Sequence, residues 1–208
     1  MGYKLDSDAR RIIDFPGQSG STLYRYKDHV SIIPIIFFNY NVIIERYWQG
    51  GNIMIERTTH ITPGEIAPDF TLKDQYGQDF ILSANQGKKV LLSFHPLAAT
   101  GVCTRQMEAL EAHFAEITAL NTIPVGISVD AVPSKKLWSD DMKLKNLRIL
   151  ADFWPHGEVI KKYGLFREKN GFSERANVIV GVDGKVQWVR IYEISILSDI
   201  DEVINHLK

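Results

Sequence analysis

Cysteine is nearly absent: the 208 residues contain one, Cys103. An intrachain disulfide, a CxxC redox pair and a multi-cysteine zinc site are therefore excluded. An excess of charge of one sign is lacking too. Twenty-four basic against 25 acidic side chains leave a net charge of -1, so no global basic excess exists to hold nucleic acid or anionic lipid. One apolar run, SIIPIIFFNYNVII over 31–44, is 14 residues long and carries Pro34, Asn39 and Asn41. A spanning helix needs about 20 apolar residues. The run also starts well inside the chain, and no small-x-small cleavage site follows it, so neither a membrane span nor a signal peptide is expected. His60, His95, His113, His156 and His206 show no HxxxH or HxH spacing, and no metal is expected. Internal repeats and low-complexity tracts are missing as well.

What is present is globular. Hydrophobic residues make up 45% and charged residues 24% of a 23.7 kDa chain. That length suits one domain with an appendage and can bury roughly 70% of its unfolded surface. Residues 1–53 read differently from the rest. Pro16-Gly17 and Gly20-Ser21 interrupt them, and no sustained period follows. Gln49-Gly50-Gly51 stands shortly before Met54, and the codon table allows CAA-GGA-GGA, a bacterial ribosome-binding sequence. Translation is therefore expected to start at Met54, with 54–208 as the working domain. The Ile, Asn, Tyr and Phe richness of 30–48 fits translated A+T-rich noncoding DNA of a bacterial source. The rival reading is a β-rich arm that packs on a partner.

Strands and helices alternate from there on. Apolar residues on either side of Asp74-Gln75-Tyr76-Gly77 predict a hairpin. Lys89–Phe94, KVLLSF, is an apolar run without alternation, which suits a strand covered on both faces. Met107, Leu110, Phe114 and Ile117 predict a helix over 103–120. A strand over 123–129, a helix over 133–143, a strand over 147–150 and a short helix over 157–163 follow. Asp183-Gly184 joins strands over 177–182 and 185–191. Ser198 is expected to cap a last helix over 199–207. This order implies an α/β fold, a mixed central sheet with helices on both faces.

The chemistry falls on Cys103, at the hand-over from a strand to a helix. A helix N-terminus stabilises an anion, and the thiolate is the nucleophile. Pro96, Thr100 and Cys103 follow the spacing PxxxTxxC. Pro96 shapes the turn, and the Thr100 hydroxyl is within reach of the sulfur or a bound oxyanion. From these residues alone, an inert buried thiol remains as good a reading.

The motif LLSFHPLAATGVC over 91–103 resembles the peroxiredoxin signature. With DFWPHGEVIKKYGLF over 152–166, Ala67-Pro68-Asp69-Phe70 and Glu174-Arg175-Ala176-Asn177, it is similar to the AhpE-type one-cysteine peroxiredoxins over about 63–208. The resemblance implies a thioredoxin-like fold and a thiol-dependent, antioxidant peroxidase acting on hydrogen peroxide or organic hydroperoxides. Cys103 would be the peroxidatic nucleophile, Thr100 a hydrogen-bonding partner of peroxide and sulfur, and Pro96 a shield. Arg175 would favour the thiolate and orient the peroxide through its donor fork. With no second cysteine, an external thiol must reduce the sulfenic acid: a thioredoxin-like protein or a low-molecular-weight thiol. The family also implies a homodimer. No cofactor is implied, and a cytoplasmic location is expected.

Three positions depart from the family. His95 stands where Phe or Tyr is usual, and Ala99 where a bulkier residue is. Gln106 replaces a Glu that helps hold arginines, which implies a less firmly held Arg175. His95 is read as a packing residue, and Trp154-Pro155-His156 as a loop anchor or dimer contact. Lys135-Lys136 and Lys161-Lys162 are read as solvated helix faces. The alternative function is a thioredoxin-fold redox sensor or binding module whose Cys103 does not turn over peroxide.

Overall fold

The computed structural model describes residues 59–208 with their side chains and, ahead of them, only the backbone of five strands. These strands are β1 (Arg10–Arg11), β2 (Leu23–Tyr26), β3 (His29–Ile32), β4 (Ile44–Gln49) and β5 (Asn52–Arg57), each antiparallel to the next. They belong to one compact unit, Met1–His60, while Ile61–Lys208 forms a second. The expected start at Met54 lies in β5, outside the residues described with side chains.

The second unit is built on a seven-stranded sheet. Its strands are β6 (Thr71–Lys73), β7 (Asp79–Ile81), β8 (Lys89–Phe94), β9 (Thr122–Ser128), β10 (Arg148–Ala151), β13 (Arg175–Val180) and β14 (Val186–Tyr192). A small hairpin, β11 (Phe166–Arg167) and β12 (Phe172–Ser173), stands apart from it. The sheet order is β14-β13-β8-β9-β10-β6-β7, with β8, β9 and β10 mutually parallel and the other pairs antiparallel. The helices are α1 (Gly101–Ala112), α2 (Phe114–Ala119), α3 (Val132–Asp141), α4 (Glu158–Lys162) and α5 (Ile200–Leu207).

The unalternating run of β8 has the expected meaning. Val90, Leu92 and Phe94 join Val159, Ile160 and Tyr163 around α4 on one face. Leu91 joins Met107 and Leu110 of α1, Ile117 of α2, Trp138 of α3 and Val203 of α5 on the other. Both faces are dry, so both parities of the strand are apolar. Contact between α1 and β9 is close: a Cβ on Gly126 would lie 2.5 Å from Met107 Sδ.

Two expected elements are corrected. The helix expected over 103–120 begins at Gly101 and breaks at His113, whose φ, ψ of -98° and 11° leave the helical region. The Ala109 carbonyl still accepts the His113 N–H at 3.1 Å, and the His113 ring nitrogen lies 2.9 Å from the same oxygen. The last helix is capped by Asp199, not Ser198. The Asp199 carboxylate accepts from the N–H groups of Asp201 (3.0 Å) and Glu202 (3.3 Å).

Candidate active site

The parallel strand β8 delivers the chain to the sheet's end at Phe94, and a short loop carries it into α1. Cys103 falls in the first helical turn and is fully buried. The first N–H groups of a helix have no partner within it. Thr100 is the N-cap, but its side chain makes no capping bond, so the amides of this turn remain available. Its hydroxyl donates instead to the Leu97 carbonyl at 3.0 Å. Ala99, just before it, has φ 59°. That left-handed conformation costs an L-residue roughly 1–2 kcal/mol.

Arg175 arrives from the neighbouring strand. Ala176 pairs with Phe94 across β13 and β8, so Arg175 stands one step beyond, at the same end of the sheet. Its Nη2 donates to Cys103 Sγ at 3.4 Å. Nη2 and Nε also donate to the Ile194 carbonyl, at 2.9 and 3.1 Å. Nη1 donates to Gln106 Oε1. The Gln106 amide in turn donates to Ser93 Oγ at 2.7 Å and to the Phe94 carbonyl at 3.3 Å.

The expectation of a loosely held Arg175 is therefore corrected. A neutral amide replaces a carboxylate, yet the guanidinium is fixed on three sides and is 1% exposed. Among the described residues it forms no ion pair with a carboxylate, so its charge is directed at the sulfur.

Pro96, Thr100 and Arg175 line one open cleft of about 590 Å³. Leu97, Gly101, Val102, Glu193, Ile194 and Ser195 complete its walls, together with Arg167 and Phe172 of the small hairpin. Arg167 is a site residue the sequence reading missed. Its Nη1 donates to both oxygens of Glu174, at 3.0 and 2.9 Å, beside Arg175. Cys103 is fully buried and does not itself line the cleft; Arg175, which does, reaches its sulfur.

A second polar group is buried against Trp138 of α3. His95 is fully buried, and neither ring nitrogen has a hydrogen-bond partner among the described residues. Its ring lies 5.2 Å from that of Trp138. Burial, reinforced by the charges of Lys135 and Arg175, holds its pKa well below the usual imidazole value, so it is neutral.

Lys135 is also fully buried, which corrects its reading as a solvated side chain. Burial pulls its ammonium down to about 8, opposed chiefly by the Asp130 carboxylate. Asp152 is buried, and desolvation raises its carboxyl to about 6 against the pull of backbone N–H groups including Ile160 at 2.8 Å. The i,i+3 step from Lys135 to the buried Trp138 was the one signal that pointed Lys135 inward.

A single thiol in the first turn of a helix, faced by a buried arginine at the end of a mixed sheet, defines a thiol-based redox α/β protein. Residues 63–189 match the AhpC/TSA family model, and the chain belongs to that family, the peroxiredoxins. Alkyl hydroperoxide reductase E of Mycobacterium bovis is 37% identical over 129 residues, 62% of this chain and 84% of that protein. Peroxiredoxin 2 of Thermoplasma acidophilum is 34% identical over 150 residues, 70% of this chain and 74% of that one. Among solved structures, the reduced 2-Cys peroxiredoxin of Plasmodium vivax superposes with a TM-score of 0.64 at 25% identity, over 71% of this chain and 80% of that one. AhpC of Mycobacterium tuberculosis gives 0.66 at 20% identity, over 72% and 92%. The fold is thioredoxin-like, and the chain is a thiol peroxidase with one cysteine.

Proposed function

We propose that Cys103 is the peroxidatic nucleophile and that Thr100, Pro96 and Arg175 serve it. The carrying observation is the 3.4 Å contact from the Arg175 guanidinium to the sulfur. The thiolate attacks one peroxide oxygen. An S–O bond forms, the O–O bond breaks, and the other oxygen leaves as hydroxide or alkoxide and takes up a proton. Sulfur loses two electrons and becomes a sulfenic acid.

Charge develops on both oxygens, so fixed donors matter most. Arg175 and the free amides of the first turn of α1 supply them. Thr100 has a different part. Its one O–H is spent on Leu97, which leaves its oxygen as an acceptor for the peroxide O–H. Pro96 is buried at the cleft and offers no N–H to compete.

An external thiol then attacks the sulfenic sulfur and releases water, and a second thiol restores Cys103. The donor is a thioredoxin-like protein or a small thiol, since the chain holds no other cysteine. Hydrogen peroxide and organic hydroperoxides are the substrates we assign. A homodimer belongs to the same proposal, supported by the exposed Phe153 and Trp154, 53% and 83% accessible. So do a cytoplasmic location, which a lone thiol suits, and the start at Met54. The start is supported by Gln49-Gly50-Gly51 and by a family match that begins only at residue 63.

Cys103→Ser tests the assignment. Loss of peroxide consumption with an unchanged fold is expected. Consumption that survives the change would end it.

A further inference from the structure

The peroxidase steps leave Lys135 without a part. The two lysines of α3 have opposite fates. Lys136 is partly exposed and pairs with Asp140 one turn on. Lys135 is fully buried, and its Nζ donates to Ser128 Oγ at 2.6 Å. Ser128, the last residue of β9, donates its hydroxyl to Asp130 Oδ2 at 2.6 Å. The same Asp130 oxygen accepts the Ala98 N–H at 2.9 Å. A continuous line of hydrogen bonds thus runs from α3, across the end of β9, into the loop that carries Pro96 and Thr100.

That loop needs outside support. Ala99 holds φ 59°, which an L-residue adopts only when its surroundings over-determine it. Ala98 is the residue immediately before it. Global stability gives no reason for the lysine. Removing an ammonium from water is costly, and an apolar side chain of the same length is often as good or better in such a place. Ser128 also stands between Lys135 and Asp130, so the hydrogen-bond path from carboxylate to ammonium runs through a hydroxyl. The ammonium orients that hydroxyl towards Asp130, and each bond polarises the next.

We propose that Lys135, acting through Ser128 and Asp130 on the Ala98 amide, is a positioning residue that fixes the 96–100 loop over Cys103. Its kinetic consequence rests on the peroxidase reading of that loop; the positioning itself rests on the hydrogen bonds alone.

The test is Lys135→Met in the full chain, followed by three readings. Thermal unfolding should keep or raise its midpoint. Amide exchange at Ala98 should speed up at least about tenfold, while the amides of β8 keep their protection. Oxidation of Cys103 by hydrogen peroxide should slow by about 10–100-fold, the cost of a misplaced site. Asp130→Ala, which removes the acceptor of the Ala98 N–H from the loop side, should reproduce the exchange change even if Lys135→Met fails to fold. The double variant should be no worse than either single one. Wild-type protection at Ala98 in both variants would overturn the proposal. So would a lower midpoint with protection lost evenly across the sheet, the mark of a purely structural lysine. Should the wild-type thiol react no faster than free cysteine, the peroxidase reading fails, and Ala98 exchange still decides the relay.

Discussion

Arg175 and Cys103 stand 72 positions apart in the chain and 3.4 Å apart in space, both fully or almost fully buried. Neither residue alone would define the site. The thiol owes its place to α1, the guanidinium to β13, and their meeting to the pairing of β13 with β8. A positive charge that cannot be deprotonated acts over this distance through little intervening solvent. Arg175→Ala should lower the rate of Cys103 oxidation by about 10²–10³, the usual cost of one fixed donor to a developing charge. Arg175→Lys should recover little, because one ammonium cannot serve Cys103, Gln106 and Ile194 together. Stopped-flow traces of both variants decide the point, and full activity in the lysine form would refute the geometric argument.

Gln106 links the arginine to β8 through Ser93 and Phe94. Gln106→Ala leaves a buried guanidinium N–H and a serine hydroxyl without a partner. Stability should fall by about 1–3 kcal/mol, and oxidation should slow as Arg175 gains freedom. Urea unfolding together with the oxidation rate tests this; a variant as stable and as fast as the wild type would contradict it.

His95 is a buried ring with two unpartnered nitrogens, packed against Trp138. An apolar ring of similar size removes that desolvation cost. His95→Phe should raise stability by about 1–2 kcal/mol. A lower melting temperature would show that the imidazole makes a contact worth keeping.

Asp152 gives a pH dependence of definite sign. Its folded carboxyl, near 6, binds a proton more tightly than an ordinary aspartate near 3.8. The folded state therefore holds more protons between these values, and this group's contribution to stability is lost as pH rises from about 4 to 6. Lys135 acts in the opposite direction. Its folded ammonium, near 8 against an ordinary 10.5, makes stability rise with pH across that window. Asp152→Asn keeps an acceptor for the Ile160 N–H and should remove the acid slope, stabilising the protein at pH 7 by about 1–2 kcal/mol. Unfolding curves from pH 4 to 7 check it, and an unchanged slope would contradict it.

Much of this was legible in the sequence. The period-free run of β8, the stripe of α1 and the turn at Asp183-Gly184 gave the alternation of elements and placed Cys103 at a strand-to-helix turn. Thr100 and Pro96 came from their spacing to Cys103 and Arg175 from the resemblance, and the three line one cleft. Other features were hidden for physical reasons. Strands β11 and β12 are two residues each, too short to show a period, so Arg167 stayed out of view. Lys135 and Lys136 read as one solvated pair, although adjacent helical positions point about 100° apart. Asp199 took the capping role from Ser198 because its carboxylate, one position on, reaches two amides.

The central claim is that this arrangement makes Cys103 a fast peroxide-reducing thiol. The direct measurement is stopped-flow oxidation of the reduced protein by hydrogen peroxide, followed by tryptophan fluorescence, with mass spectrometry of Cys103. Trp138, whose indole donates to Thr104 beside Cys103, is a local reporter. Oxidation about 10³-fold or more above that of a free thiol, ending in one added oxygen on Cys103, is the predicted result. Oxidation no faster than free cysteine would contradict the account.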